Sequence, residues 1–192
     1  MLALAGALTG AAALVARARR THAWQREALT VSVEEVRVRV GGAGDMEGVA
    51  ELVRALAAFE GSEDKVQTDA ESLRRDFAQG QFMIAVAVRS VGGADERELV
   101  GFALYSFGYS TWAGRTLALD DLFVRENFRG SGVGSQLLKF VARAGQEAGC
   151  NRMEWFSFKW NGRANGFYAS RGAERQDELY YWRLSHENMA LL

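Results

Sequence analysis

Hydrophobic and polar residues alternate with two regular periods along most of the chain. Over Val36–Val40, valines occupy every second position and arginines lie between them, which is typical of a half-buried strand. Over Met46–Phe59, apolar residues recur every three or four positions, as they do along one face of a helix. Asp45 stands directly before this run, where a carboxylate can cap a helix. The pattern therefore predicts a strand followed by an amphipathic helix.

Three further helices follow from capping residues and apolar periodicity. Thr68 and Glu71 stand at the spacing of a capping box, which predicts a short helix after them. A longer helix is expected over Gly134–Ala148, and its apolar residues again recur at helical spacing. Asn161 is expected to cap a helix that ends near Gly172.

Runs of β-branched and aromatic residues predict five further strands, at 82–88, 99–107, 115–124, 153–158 and 179–184. A Gly92-Gly93 turn is expected between the first two of them. The predicted order is β-α-α-β-β-β-α-β-α-β within one domain over residues 34–192. This order indicates a mixed α/β (α+β) protein whose central sheet is flanked by helices, and it does not fit a doubly wound fold.

Composition narrows the class of protein. The chain has 192 residues, of which 48% are apolar and 24% charged, as expected for a globular domain with a core. A formal net charge of −1 argues against nucleic-acid binding, which needs a basic excess. With one cysteine and two histidines, a Cys/His metal site is not expected.

Residues 1–33 differ from the rest and are interpreted as an N-terminal extension outside the domain. An uncharged Ala/Leu-rich run over residues 2–16 is followed by arginines, and the first acidic residue is Glu27. The run is shorter than the ~20 residues of a membrane-spanning helix, and its charges follow the apolar stretch instead of preceding it. The segment is therefore either a mitochondrial targeting leader or an extension without a targeting signal. In the second case we expect a cytoplasmic protein, and in neither case a stable membrane association.

A glycine-rich turn connects a predicted strand to the long helix. The segment Arg129–Gly134 reads Arg-Gly-Ser-Gly-Val-Gly. Glycines allow positive φ and close approach to a ligand, and the unpaired N–H groups of a helix N-terminus attract phosphate. The turn is either a pyrophosphate site or a tight turn without a ligand.

Two motifs resemble those of the GNAT superfamily of N-acetyltransferases. The segment Leu119–Gly134 resembles its coenzyme-binding motif, and the pattern Arg/Gln-x-x-Gly-x-Gly/Ala begins here at Arg129. In the family's order, Asn161 and the run Gly166–Ala173 match the second motif, Asn followed by Phe-Tyr and Gly-Ala. Tyr109–Thr116 is similar to the diamine acetyltransferase branch, and in particular to its thialysine N-acetyltransferase subgroup.

The resemblance implies a GNAT fold, whose central sheet is mixed and mostly antiparallel. It also implies acetyl-CoA as co-substrate and direct attack by a small primary amine in a ternary complex. The amine would be a thialysine-like amino acid, a diamine or a polyamine, and the protein would be a homodimer. The last strand, with its aromatic residues, would take part in the subunit contact.

The resemblance also assigns catalytic roles. A primary amine has a pKa near ~10.4, so it must lose a proton before it attacks, and the departing thiolate must gain one. Asp120 would be the base, acting through water, and Tyr168 would be the acid. The family has glutamate where this chain has Asp120, so this carboxylate is one methylene shorter.

Further positions carry over as binding residues. The backbone of the strand end would hold the pantetheine arm as an added strand. The expected coenzyme contacts are Leu122, Phe123, Val124, Arg129, Gly130, Ser131, Gly132, Val133, Gly134, Ser135, Asn161, Gly162, Arg163, Ala164 and Tyr168. The expected amine contacts are Phe59, Glu60, Trp112, Asp120, Glu154, Trp155 and Phe156.

Two alternatives to a small-amine enzyme stay open. The chain could be a catalytically weak CoA-binding paralogue, which the shorter Asp120 favours, or an acetyltransferase of protein lysines or N-termini. Polyamine-specific members carry an acidic residue where this chain has Ser110. That difference favours a smaller amine than spermine.

Overall fold

The computed structural model describes residues 29–31, 36–90 and 97–192. The strands are β1 (Leu29–Val31), β2 (Val36–Val40), β3 (Met83–Ser90), β4 (Arg97–Ser110), β5 (Gly114–Val124) and β6 (Arg152–Glu154). The helices are α1 (Met46–Phe59), α2 (Ala70–Ala78), α3 (Val133–Glu147), α4 (Gly162–Ala169) and α5 (His186–Met189). Short 3-10 turns lie at Ala43–Asp45, Glu63–Lys65 and Glu126–Phe128.

The chain divides into two compact units, one that ends at Trp155 and one over Phe156–Leu192. The first contains one six-stranded sheet in the order β1-β2-β3-β4-β5-β6. Neighbouring strands are antiparallel from β1 to β5, and β6 is parallel to β5. This sheet confirms the predicted mixed, mostly antiparallel fold.

Helices cover both faces of the sheet. Successive strand residues point to opposite sides, so neighbouring residues of one strand contact different helices. Phe102 packs in a cluster with residues of α1 and α2. A side chain at the adjacent Gly101 would instead meet Leu137 of α3. The α1 face of the core is built from Met46, Val49, Leu52, Leu73, Phe82, Ile84, Val86, Val88, Phe102 and Phe123.

Most of the predicted elements are confirmed, but the start of α2 is one residue later than predicted. Asp69, and not Thr68, is its N-cap, and Ser72 takes the place expected for Glu71. Asp69 Oδ1 accepts the Ser72 N–H at 2.8 Å, and Ser72 Oγ accepts the Asp69 N–H at 2.9 Å. This reciprocal pair satisfies two donors at once, so it decides where the helix begins.

The predicted strand at 179–184 is wrong. In the described part of the chain this segment pairs with no strand, and Leu179, Tyr180 and Trp182 are 70–86% exposed. Aromatic content indicates a tendency to form a strand, but a strand also needs a neighbour to pair with. The strand predicted at 153–158 is also shorter, since β6 ends at Glu154.

The sheet begins earlier than the predicted domain boundary at residue 34. Strand β1 (Leu29–Val31) lies within the segment assigned to the N-terminal extension, and it pairs with β2. The predicted Gly92-Gly93 turn lies outside the described residues. Among the described residues, no helix has both the length and the apolar character needed to cross a membrane.

An ion pair joins the end of β2 to the start of α1. The two terminal nitrogens of the Arg39 guanidinium, Nη1 and Nη2, each donate to the Asp45 carboxylate at 2.7 Å. The Gly42 N–H also donates to it at 2.7 Å. Asp45 is therefore the N-cap residue of α1 by position, but its carboxylate binds the preceding turn and not the helix. Burial alone would raise the pKa of Asp45, but the bonds from Arg39 and Gly42 outweigh it and hold the pKa below its ordinary value.

We expect Asp45→Asn to lower the free energy of unfolding by about 1–2 kcal/mol at pH 7, because a charge-assisted pair is lost. Since folding lowers the pKa of Asp45, this difference should be present above pH 4 and shrink as the pH falls through the lowered pKa. Urea unfolding at pH 7 and pH 3 measures it. Asp76→Asn, which removes the exposed pair with Arg75, is the matched control and should cost at most about 0.5 kcal/mol. Equal losses in the two variants at pH 7 would contradict the account.

Candidate active site

Strand β5 has one open edge over its second half. It pairs with β4 along its whole length, but with β6 only over Thr116–Ala118. Beyond Ala118, no strand of the described residues covers that side of β5. The backbone from residue 119 to 124 can therefore accept an extended ligand as though it were another strand.

The register shows which backbone groups face this open edge. The Arg125 N–H donates to the Val100 carbonyl of β4 at 2.8 Å. Polar groups of successive strand residues point to opposite edges, so those of Phe123 face β4 as well. Those of Leu122 and Val124 face the open edge. The open edge therefore carries two N–H groups and two carbonyls, of which the Val124 carbonyl already accepts from Arg129.

A β-bulge lies at the start of the open edge. Leu104 of β4 is opposite Asp121, and the next residue, Tyr105, is opposite Leu119, so Asp120 is the extra residue. Bulges bend a strand and change the direction of a side chain. Asp120 is exposed, and its Oδ2 lies 3.4 Å from the Ser106 hydroxyl of β4, which donates to it. The fold thus presents the predicted base to solvent beside the open edge.

Three carboxyl groups influence one another around this bulge. Although Asp120 is exposed, neighbouring atoms keep water from part of its carboxyl group and so raise its pKa, and the Ser106 hydroxyl partly offsets that rise. Burial, followed by the charges of Asp120 and Glu60, raises the pKa of Asp121 to about 6. Glu60 is the C-cap residue of α1, and burial raises its pKa too. A cation placed among these groups would relieve their repulsion.

The glycine turn at the start of α3 has the backbone that a phosphate site requires. Gly130 and Gly132 have φ of +85° and +95°, a region that favours glycine. Gly132 is the N-cap residue and has no side chain with which to bind the N–H groups of the first turn. Ser131 Oγ donates to the Phe128 carbonyl at 2.6 Å and holds the turn. The helix N-terminus is therefore open to an anion.

Arg129 directs its side chain toward α1 and β5. Its Nε donates to the Val124 carbonyl at 2.9 Å. Its guanidinium carbon lies 4.6 Å from the ring centre of Phe59 and 5.5 Å from that of Phe123. Arg129, Phe59 and Phe123 line a cleft of about 400 Å³. Its other lining residues are Ala55, Arg125, Glu126 and Asn127.

Trp112 lies apart from the carboxyl groups within the first unit. It occupies the tip of the β4–β5 hairpin and is 95% exposed. Ser110 Oγ accepts the N–H groups of Trp112 and Ala113 at 3.2 Å, which closes the turn. Asp120 lies six positions along β5 from Gly114, which corresponds to about 20 Å of strand. The first unit therefore brings Phe59, Glu60 and Asp120 to one region and leaves Trp112 outside it.

The remaining predicted residues lie on β6, just after it, and in the second unit. Glu154 ends β6 and pairs with Arg152 at 3.1 Å, and Trp155 follows it. In the second unit, Asn161 Oδ1 accepts the Ala164 N–H at 3.1 Å and caps α4, as predicted. Gly162 and Arg163 form the first turn of that helix.

Tyr168 lies near the end of α4. Its ring packs edge-to-face on Phe167 with centres 5.2 Å apart. Phe156 begins the second unit and is 76% exposed, with its ring 4.5 Å from Tyr181. The roles assigned to Tyr168 and Phe156 stay predictions.

Sequence reasoning missed two features of the site. Ser106 is placed beside Asp120 only by the register of the hairpin, in which Ser106 is opposite Ala118. The contact of Arg129 with Phe59 joins residues 70 positions apart, and no local pattern indicates it. The raised pKa of Asp121 could have been expected from the sequence, because two adjacent carboxylates in one strand repel each other.

Comparison with known proteins agrees with the geometry. The Acetyltransferase (GNAT) family profile matches residues 51–173. The chain is 34% identical to the thialysine N-epsilon-acetyltransferase of Bos taurus over 151 residues, 77% of this chain and 89% of that protein. It is 29% identical to the human spermidine/spermine N(1)-acetyltransferase-like protein 1 over 160 residues, 82% of this chain and 23% of that protein.

The fold is similar to that of AAC(6')-Iy in complex with a bisubstrate analogue, CoA-S-monomethyl-acetylneamine. The TM-score is 0.60 at 22% identity, and the match covers 78% of this chain and 98% of that one. The family profile and the curated relatives, not the shared fold, identify the protein as an N-acetyltransferase. The chain belongs to the acetyltransferase (GNAT) family, since the family profile covers more than half of it.

We expect Asp121→Asn to stabilise the protein at pH 8 and to change its stability little at pH 4. The wild-type carboxyl, with a pKa of about 6, is half-buried; it is charged at pH 8 and mostly neutral at pH 4. The gain at pH 8 should be about 1–3 kcal/mol, measured by urea unfolding at both values.

Glu60→Gln serves as the control, because removing that charge should lower the pKa of Asp121 in a carboxyl NMR titration. An effect of Asp121→Asn that is the same at pH 4 and pH 8 would contradict this assignment.

Proposed function

We propose that the protein transfers the acetyl group of acetyl-CoA to a primary amine of a small substrate. The amine is a thialysine-like amino acid or a diamine, and it attacks directly in a ternary complex. One observation carries the proposal: the open edge of β5 begins beside the bulged Asp120, and the positive-φ glycine turn follows its end at Val124 by six residues. This order puts a carboxylate, an extended site and an anion site in one line.

The coenzyme fits this line by the chemistry of its parts. The amides of the pantetheine arm can pair with Leu122 and Val124, whose polar groups face the open edge. The pyrophosphate suits the N–H groups over Gly130–Ser135, at the start of α3. The cap and first turn of α4, over Asn161–Ala164, are proposed to complete the coenzyme site.

The proposed reaction needs three proton transfers. Asp120 takes a proton from the substrate ammonium group through a water molecule, which leaves the amine nitrogen with a free electron pair. That nitrogen forms a bond to the thioester carbonyl carbon, the carbon–sulfur bond breaks, and Tyr168 gives its proton to the departing thiolate. The new amide nitrogen then releases its surplus proton through water to the Tyr168 phenolate.

The charges around the bulge support a cationic amine as the acceptor. Glu60, Asp120 and Asp121 bring three carboxyl groups into this region, where an ammonium group would relieve their repulsion. Ser110 closes the turn at the tip of the β4–β5 hairpin, away from these carboxyl groups, so the preference for a small amine rests on the family resemblance and not on this contact. Names of relatives such as the Bos taurus thialysine N-epsilon-acetyltransferase support the same substrate class.

A homodimer is proposed for the active protein. The support is the exposed apolar surface of the second unit, where Leu179, Tyr180 and Trp182 are 70–86% exposed. Burial of such side chains against a second copy would remove apolar area from water. The segment predicted as the last strand would then find its partner in the other subunit.

The proposal predicts CoA release when acetyl-CoA is mixed with a small amine. The panel is thialysine, lysine, putrescine, spermidine, spermine and a lysine-containing peptide, with thialysine expected ahead of spermidine and the peptide least active. Thiol release measured with a chromogenic disulfide reports the rate. A preference for the peptide would replace the small-amine function by protein acetylation.

The same panel tests the rival function. The shorter carboxylate of Asp120 favours a CoA-binding paralogue without useful turnover. That function would give no CoA release with any amine, although acetyl-CoA would still raise the melting temperature, as any ligand of the native state does.

We expect Tyr168→Phe to lower kcat about 100-fold or more, because the thiolate loses its proton donor. The Kd of acetyl-CoA, measured by calorimetry, should change little, since the ring stays in place. Tyr109→Phe is the matched control and should keep wild-type turnover, because Tyr109 is 77% exposed and lies near the tip of the β4–β5 hairpin, away from Asp120. Unchanged turnover in Tyr168→Phe would refute the acid role.

A further inference from the structure

The side chain of Arg129 contacts three parts of the proposed site within one unit. It donates to the Val124 carbonyl on β5, and its guanidinium group lies against Phe59 of α1 and Phe123 of β5. We propose that Arg129 is a positioning residue that caps the open edge of β5 and holds it against the amine-side end of α1. This inference rests on the proposed function and adds a role that the coenzyme motif does not supply.

The cap sets where strand-like pairing of the coenzyme arm stops. The N–H and carbonyl of Val124 both face the open edge, but Nε of Arg129 occupies the carbonyl at 2.9 Å. What remains for the pantetheine arm is the Val124 N–H together with both polar groups of Leu122. The arm therefore pairs as far as the Val124 N–H and then turns toward Gly130–Gly134. If the pantetheine arm were shifted along the edge to another register, an amide N–H of the arm that needed the Val124 carbonyl would find it occupied.

The contact with Phe59 extends this effect to the amine. Phe59 is the last residue of α1, and the next residue is Glu60, whose charge acts on Asp121. A guanidinium centre 4.6 Å from the Phe59 ring makes a cation–π contact that fixes the helix end. Arg129 therefore orients both the open edge of β5, where the coenzyme would bind, and Glu60, one of the carboxyl groups near the proposed ammonium position.

The contacts that Arg129 makes here depend on its guanidinium group. Stacking on two rings while donating through Nε uses the planar guanidinium, which lysine lacks although it carries the same charge. If Arg129 acted only as a charge toward pyrophosphate, lysine would replace it well. Arg129→Lys therefore separates a positioning role from a charge role.

The test is a double-mutant cycle of Arg129→Lys and Phe59→Leu. The primary readout is the Kd of CoA by calorimetry, which needs no catalysis. We expect each single variant to weaken CoA binding about fivefold, and the double variant to weaken it little more than either one, because both remove the same contact. The matched control is Arg115→Lys with Phe59→Leu. Arg115 lies outside the cleft and donates to the Ala148 carbonyl after α3, so these effects should multiply.

Two further readouts complete the test. Urea unfolding of the ligand-free variants shows that they fold, and steady-state kinetics should show a raised KM for the amine together with the weaker CoA binding. Near wild-type CoA binding in Arg129→Lys, or multiplicative effects in its cycle with Phe59→Leu, would overturn the positioning role. If the wild type binds CoA but releases none with any amine, the proposed function fails, while the binding cycle still decides the role of Arg129.

Discussion

The site depends on the early separation of β5 from β6. A three-residue parallel contact at Thr116–Ala118 is enough to place β6 in the sheet, but it leaves the second half of β5 without a partner on that side among the described residues. Unpaired backbone groups at a strand edge are a liability, because they attract other chains. Here the exposed edge lies next to the glycine turn and the bulge, and a ligand with amide groups can satisfy it.

The carboxyl groups around the bulge oppose folding and favour binding. Burial and mutual repulsion raise the pKa of Asp121 to about 6, so its charged form destabilises the native state at neutral pH. A bound ammonium group would remove part of that penalty and gain affinity from it. The rest of the first unit supplies the rigidity, with α1 and α2 packed on one face of the sheet and α3 on the other.

Much of this architecture could be predicted from the sequence, because alternation and helical periodicity follow directly from burial. The strands over Val36–Val40 and in the β3–β5 region and the helix over Met46–Phe59 are confirmed for that reason. The glycine turn was also recognisable, since positive φ leaves few choices besides glycine. The family motifs pointed to the fold that the relatives confirm.

Other features depend on partners that a local pattern does not contain. The bulge at Asp120 is a property of the register between two strands, and so is the contact of Asp120 with Ser106. Phe59 continues the apolar period of α1, yet it is 44% exposed and contacts Arg129 instead of the core. The predicted strand at 179–184 failed because aromatic content does not provide a neighbouring strand.

If CoA binds as an added strand on the open edge of β5, it must cover only those backbone groups that face this edge. Hydrogen exchange of individual backbone amides, measured by NMR with and without CoA, reports this cover. We expect the amides of Leu122 and Val124 to become protected on binding, while that of Phe123, which faces β4, keeps its rate. Binding of CoA without protection of Leu122 and Val124, or with equal protection of all three amides, would contradict binding as an added strand.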